Sequence, residues 1–179
     1  MRWYWIDRFL EFESGRRAKA VKNVSLAEDH LHDHFPGYPV MPNPLVIEGL
    51  AQTGGLLVCE YNQFREKVVL AKVPKARFHC LATPGDTLTY TTTVDYIRRD
   101  GAMVTATSHI GDRLQAEMEI VFAHLDGELG QKTLFDPASL LQMMRILRGF
   151  EVGHAADGSP LRDPAWVGGE ADPEQSGTT

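Results

Sequence analysis

Two residues of this chain have the types and settings for acid–base chemistry. His34 lies in a loop, and Glu48 follows fourteen residues later in the most apolar helical stretch. An imidazole titrates near neutral pH, so it can take up and release protons under ordinary conditions. Glu48 is surrounded by Val46, Ile47, Leu50 and Ala51. Desolvation in such a setting is expected to raise a carboxyl's pKa and keep its proton on. One residue suits proton removal and the other proton donation. A metal reading is also open, because His30, His32 and His34 alternate as on one face of a strand. The Pro-rich surroundings do not read as a strand, however, and no Cys or Glu completes a ligand set, so no metal is expected.

The elements that must position this pair follow from pattern. Residues 17–26 read as a strand, and residues 27–43 as a loop rich in His, Pro and Gly. Asn43-Pro44 opens a helix, with Asn43 as N-cap and Pro44 in the first position. This helix runs to about Asn62, carries Gly54-Gly55 inside it and is apolar on nearly every side, which predicts a buried helix. Strands are expected at 67–73 and 76–83, joined near Pro74. Further strands follow at 86–99, 102–110 and 113–125, with turns at Pro84-Gly85-Asp86, Asp100-Gly101 and Gly111-Asp112. In the last strand Leu114, Ala116, Met118, Ile120 and Phe122 alternate with polar residues, so one face is buried. One long buried helix and five or six antiparallel strands predict an α+β fold, a curved sheet wrapped around the helix. Residues 1–127 form that domain, and 128–150 add a helix with Asp136 as N-cap and Pro137 at its first position. Residues 151–179, rich in Gly, Pro, Asp and Ser, read as a loose polar tail.

The composition narrows the function classes. An apolar fraction of 43% supports a real core, and 18 basic against 24 acidic residues give a net charge of -6. Nucleic acid is therefore not an expected partner, since phosphate binding needs clustered positive charge. Cys59 and Cys80 make no disulfide framework and read as free thiols. The aromatic N-terminus is broken by Arg2, Asp7 and Arg8, unlike a signal peptide, and no run approaches the roughly 20 apolar residues of a membrane span. The expectation is a soluble cytoplasmic protein.

HFPG (34–37), the PVMP run (39–42), the Glu within IEGLAQ (47–52), and ARF (76–78) followed by PGDTL (84–88) occur in one register, after KNVS (22–25). Over roughly residues 6–125 this pattern resembles the β-hydroxyacyl-acyl-carrier-protein dehydratases, enzymes of the hot-dog fold. Glu at position 48 resembles the branch that only dehydrates; the isomerising branch usually carries Asp there. The resemblance implies dehydration of a 3-hydroxyacyl thioester, on an acyl carrier protein, to the trans-2-enoyl thioester. His34 would remove the C2 proton and Glu48 would protonate the departing C3 hydroxyl. Helix N-terminal amides would hold the thioester oxygen. No metal or redox cofactor is implied, because the phosphopantetheine arm arrives with the substrate. The resemblance also implies a homodimer, or an oligomer of dimers, whose sites draw the two residues from different subunits.

The resemblance places Phe35, Gly37, Asn43 and Gln52 at the substrate. Two of them have plainer readings: Gly37 as a turn needing positive φ, and Gln52, one turn after Glu48, as packing or as a hydrogen-bond partner that orients Glu48. Glu48 itself could pair with a cation at a subunit interface. At Asn43 the chain departs from the family, which usually has Gly there. Asn43 keeps its N–H, but Pro44 has none, so any donor drawn from that next position is absent. Arg65, Lys67, Lys72, Lys75 and Arg77 form a basic stretch, either a rim for an acidic carrier or a solvated strand surface. Met143 and Met144 read as packing residues. Two rival functions remain: a hot-dog thioesterase, and a catalytically weak acyl-carrier binding protein.

Overall fold

The structure, a computed structural model, describes residues 3–125, 136–164 and 166. Its elements run β1 (Arg8–Glu13), β2 (Arg17–Asn23), α1 (His30–Asp33), α2 (Asn43–Tyr61), β3 (Lys67–Phe78), β4 (Thr87–Arg98), β5 (Gly101–Ile110), β6 (Arg113–Leu125), α3 (Pro137–Ile146), α4 (Gly149–Val152) and β7 (Gly153–His154). They form a seven-stranded sheet in the order β3-β6-β5-β4-β2-β1-β7, antiparallel except where β7 joins β1. The helix α2 packs against β2, β3, β4 and β5. This is the hot-dog arrangement.

Close approach of helix and sheet rests on two glycines. A Cβ at Gly49 would collide with the Tyr90 ring, and one at Gly54 would lie 3.1 Å from Val104 Cγ2. Val46, Leu50, Leu57 and Val58 of α2 are fully buried, as are Val104, Ala106 and Ile120 of the facing strands. In β6 the expected alternation holds for Ala116, Met118, Ile120 and Phe122, all buried. Leu114 is only half-buried, next to a register shift at Ser108/His109.

Three sequence expectations are corrected, and one strand is added. β1 has no counterpart in the sequence reading, because Phe9 and Phe12 do not alternate. A bulge between Phe9 and Glu11 turns both rings inward, where they meet edge to face at 5.1 Å. β3 is one strand running through Pro74, not two joined there. It is the sheet edge, and its pairing with β6 skips Val73 and Pro74, so the missing N–H breaks no ladder bond. α2 is capped by extended Pro42, with Asn43 and Pro44 already helical and no side-chain cap; Pro42 O accepts from Leu45 N at 2.9 Å. Residues 151–164 are not loose. Gly153 and His154 pair with Phe12 and Glu13, Leu161 N donates to Gly153 O at 3.0 Å, and Arg145 pairs with Asp163 at 2.7 Å. A Cβ at Gly153 would collide with the backbone oxygen of Gly149 and with the Leu161 side chain. The remainder of the expected tail, 165 and 167–179, lies outside the described residues, as does 126–135.

Candidate active site

The loop before α2 shapes the setting of His34. A tight turn closes over residues 35–38, with Phe35 N donating to Tyr38 O at 3.0 Å and Tyr38 N to Phe35 O at 2.8 Å. Gly37 supplies the left-handed residue at φ +77. Val40 N returns to His34 O at 2.9 Å, and Met41 N ties the strap to Ala82 O at 2.8 Å. Within this frame His34 Nδ1 lies 3.0 Å from Val40 O. A carbonyl only accepts, so Nδ1 carries the hydrogen and the neutral ring keeps its lone pair on Nε2. Phe35 stacks on the imidazole at 4.2 Å. His34, Phe35, Tyr38, Asn43, Pro44 and Leu81 are among the residues lining a cavity of about 360 Å³.

The three alternating histidines do not converge. His30 and His32 sit in the short helix α1; His32 Nε2 meets Leu26 O at 3.2 Å, and His30 packs against Trp5 at 5.1 Å. Burial lowers the His30 pKa.

Glu48 lines a second cavity, of about 250 Å³, and is only half-buried on the single chain. Gln52 Nε2 donates to Glu48 Oε1 at 2.9 Å and to Trp3 O at 2.7 Å, while Gln52 Oε1 accepts from Trp5 N at 2.9 Å. Both amide hydrogens are thus held by protein. A direct bond from the Gln52 amide to substrate would break one of these contacts. Trp3 and Trp5 were not singled out in the sequence; their backbone groups matter here, and those leave no signal in residue type.

The structure therefore brings together His34, Phe35 and Asn43 at one cavity and Glu48 with Gln52 at another. Among the described residues the two cavities share no lining residue. The second is lined in part by Leu140 and Met143 of α3, a helix to which the sequence assigns no role. Met144 is a packing residue, fully buried. In the basic stretch along edge strand β3, Lys72 and Lys75 are exposed, and Arg77 lies 4.0 Å from Glu117 of β6.

Comparison with known proteins matches residues 3–121 to the FabA-like domain. The 3-hydroxyacyl-[acyl-carrier-protein] dehydratase FabZ of Desulforamulus reducens is 40% identical over 128 residues, covering 71% of this chain and 87% of the relative. The enzyme of the same name from Thermomicrobium roseum is 40% identical over 129 residues, covering 72% and 87%. Among solved structures, conserved protein PA5202 from Pseudomonas aeruginosa superposes with a TM-score of 0.55 at 21% identity, covering 66% of this chain and 87% of that one. The smu.793 protein of Streptococcus mutans, solved with acetyl CoA, gives 0.57 at 15%, covering 70% and 93%. These two share the fold alone. The family match over most of the sheet and the relatives at 40% identity agree: the chain belongs to the FabA-like dehydratase family of hot-dog proteins.

Proposed function

We propose that the chain dehydrates 3-hydroxyacyl thioesters to trans-2-enoyl thioesters in fatty-acid synthesis, as a hydro-lyase acting on acyl chains carried by acyl carrier protein. The observation that carries this reading is the 3.0 Å contact between His34 Nδ1 and Val40 O. The Nδ1 hydrogen is committed to Val40 O, which leaves Nε2 as proton acceptor. In the proposed reaction Nε2 takes the C2 proton, and the C2–H electron pair moves through an enolate. That pair then forms the C2–C3 double bond as the C3–O bond breaks. Glu48, held by Gln52, gives its proton to the departing hydroxyl, which leaves as water. The enolate oxygen is stabilised at the start of α2, where Asn43 offers an N–H and the helix dipole favours negative charge.

The separation of the two cavities supports a site completed by a second copy of the chain, with His34 from one protomer and Glu48 from its partner. The edge strand β3 is 12 residues long, and exposed Phe35, Tyr38, Leu70 and Leu81 supply apolar surface that a dimer would cover. Exposed Lys72 and Lys75 on β3 suit an acidic carrier. Among the described residues no helix is long and apolar enough to cross a membrane, and the reaction's carrier-bound substrate fits a cytoplasmic location. The test is hydration of crotonyl thioester, the reverse reaction, by wild type, His34→Ala and Glu48→Gln. Wild type is expected to hydrate it and each variant to lose roughly 10²-fold or more. Release of free acid and thiol in place of hydration overturns the reading.

A further inference from the structure

The helix α3 lies beyond the family-matched residues 3–121, and its faces are divided. Leu141 and Met144 are buried in the core, and Leu147, just after the helix, is buried too and accepts Phe9 N at 2.8 Å. The Leu147 bond ties the end of the helix to β1. Leu140 and Met143, one turn apart, are half-buried and face elsewhere: they line the Glu48 cavity together with Leu56 and Phe122. An aspartate cap, Asp136 Oδ1 accepting from Ala138 N at 3.0 Å, starts the helix at a defined residue, which fixes where these side chains fall.

We infer that α3 forms the far wall of the acyl-binding cavity, and that Met143 and Leu140 set the length of acyl chain accepted. The inference rests on the dehydratase reading. In that reaction Glu48 reaches the oxygen on C3, so the chain beyond C3 leaves the reacting bond beside Glu48. Among the described residues lining that cavity, the polar side chains are those of Glu48 and Gln52, and the rest are apolar or the thiol of Cys59. The cavity suits a hydrocarbon tail and not a pantetheine arm, whose amides would lack partners. Its volume, about 250 Å³, is small, below the roughly 300–1,000 Å³ of a drug-sized site. Met143 and Leu140 stand where a longer tail would continue. Methionine adapts its shape but still occupies volume, so the stop is graded, not absolute.

The test compares full-length wild type, Met143→Ala, Leu140→Ala and Met143→Trp, each checked for its unfolding transition. The hydration kcat/KM is measured on crotonyl, octenoyl and dodecenoyl thioesters. The readout is the ratio of long-chain to crotonyl kcat/KM. Each methylene accommodated in an apolar pocket changes such ratios by about tenfold or more. The ratio is expected to rise about tenfold in either Ala variant and to fall about tenfold in Met143→Trp. A merely structural role would lower all lengths together and leave the ratio unmoved, which overturns the inference. The two Ala variants carry the test if Met143→Trp does not fold. Absence of hydration in wild type overturns the dehydratase reading instead. The acyl wall is then judged by calorimetric binding of the matching saturated thioesters: a length profile shifted in Met143→Ala supports it, and an unshifted one sinks it.

Discussion

Gln52 donates its side-chain amide to Glu48 Oε1 at 2.9 Å while its other contacts reach back to Trp3 and Trp5, residues 49 and 47 positions earlier. The carboxyl's orientation is thereby tied to the N-terminal segment. Replacing Gln52 with Leu removes the donor and leaves the backbone of Trp3 and Trp5 unpaired. The expected result is a kcat lower by about tenfold, the scale of one hydrogen bond to a polar group. KM should stay within about twofold, because the change touches orientation and not binding. Steady-state hydration kinetics separate the two parameters; a rise in KM at constant kcat would show Gln52 contacting substrate instead.

If each site takes His34 from one protomer and Glu48 from its partner, two dead variants can rescue each other. His34→Ala and Glu48→Gln, unfolded together and refolded, give hybrid dimers with one intact site. Half the dimers are hybrids and each has one site of two, so about a quarter of wild-type activity should return. Separately refolded variants, mixed afterwards without exchange, are the control. No recovery despite mixed dimers, seen by native mass spectrometry, would mean that both residues act within one chain.

The candidate residues are more legible in the sequence than the groups that support them. His34 and Glu48 stand out because an imidazole in a Pro-rich loop and a carboxyl in an apolar helix are unusual by type and setting. β4, β5 and β6 are legible because β-branched runs and turn residues are local signals. What binds the site together is not local. Val40 selects the His34 tautomer through a backbone carbonyl, and Trp3 and Trp5 hold Gln52 through backbone groups. Any residue type could supply the carbonyls, and any but proline the N–H. The bulge in β1 hid its strand by breaking the period of two, and Pro74 divided β3 on paper only, since an edge strand tolerates the lost donor. The place of α3 depends on tertiary packing of Leu141 and Met144, which residue type alone reads as core of some kind and no more.

Gly37 permits a direct test of how far the loop's shape matters. Its φ is +77, and a Cβ there would meet nothing within 4 Å, so Gly37→Ala adds backbone strain without a clash. The strain is about 1–2 kcal/mol. Gly111→Ala is the matched control: φ +57, equally open, in the β5–β6 turn. Both variants should lose similar stability in urea unfolding. Only Gly37→Ala should also lose hydration activity, because its turn carries Phe35 against His34. Equal activities in the two would mean the turn does not hold the imidazole.

Glu60 gives a pH signature separate from the active site. It lies at the end of α2, and burial pushes its carboxyl pKa up, partly offset by a hydrogen bond with the Ser14 side chain. In the unfolded chain the same carboxyl titrates at about 4.3. Between that value and the raised native one, the folded protein holds more protons than the unfolded. Stability therefore falls as pH rises through this window. The contribution is fully present below the unfolded pKa and is lost above the native one, where a charged carboxylate must stay buried. Glu60→Gln keeps the shape and an oxygen for Ser14 but cannot ionise. The variant is expected to be more stable than wild type at neutral pH, with the difference shrinking as pH falls towards the ordinary carboxylate range. Urea unfolding across that range measures it, and a difference independent of pH would mean that Glu60 is not held in its neutral form by the fold.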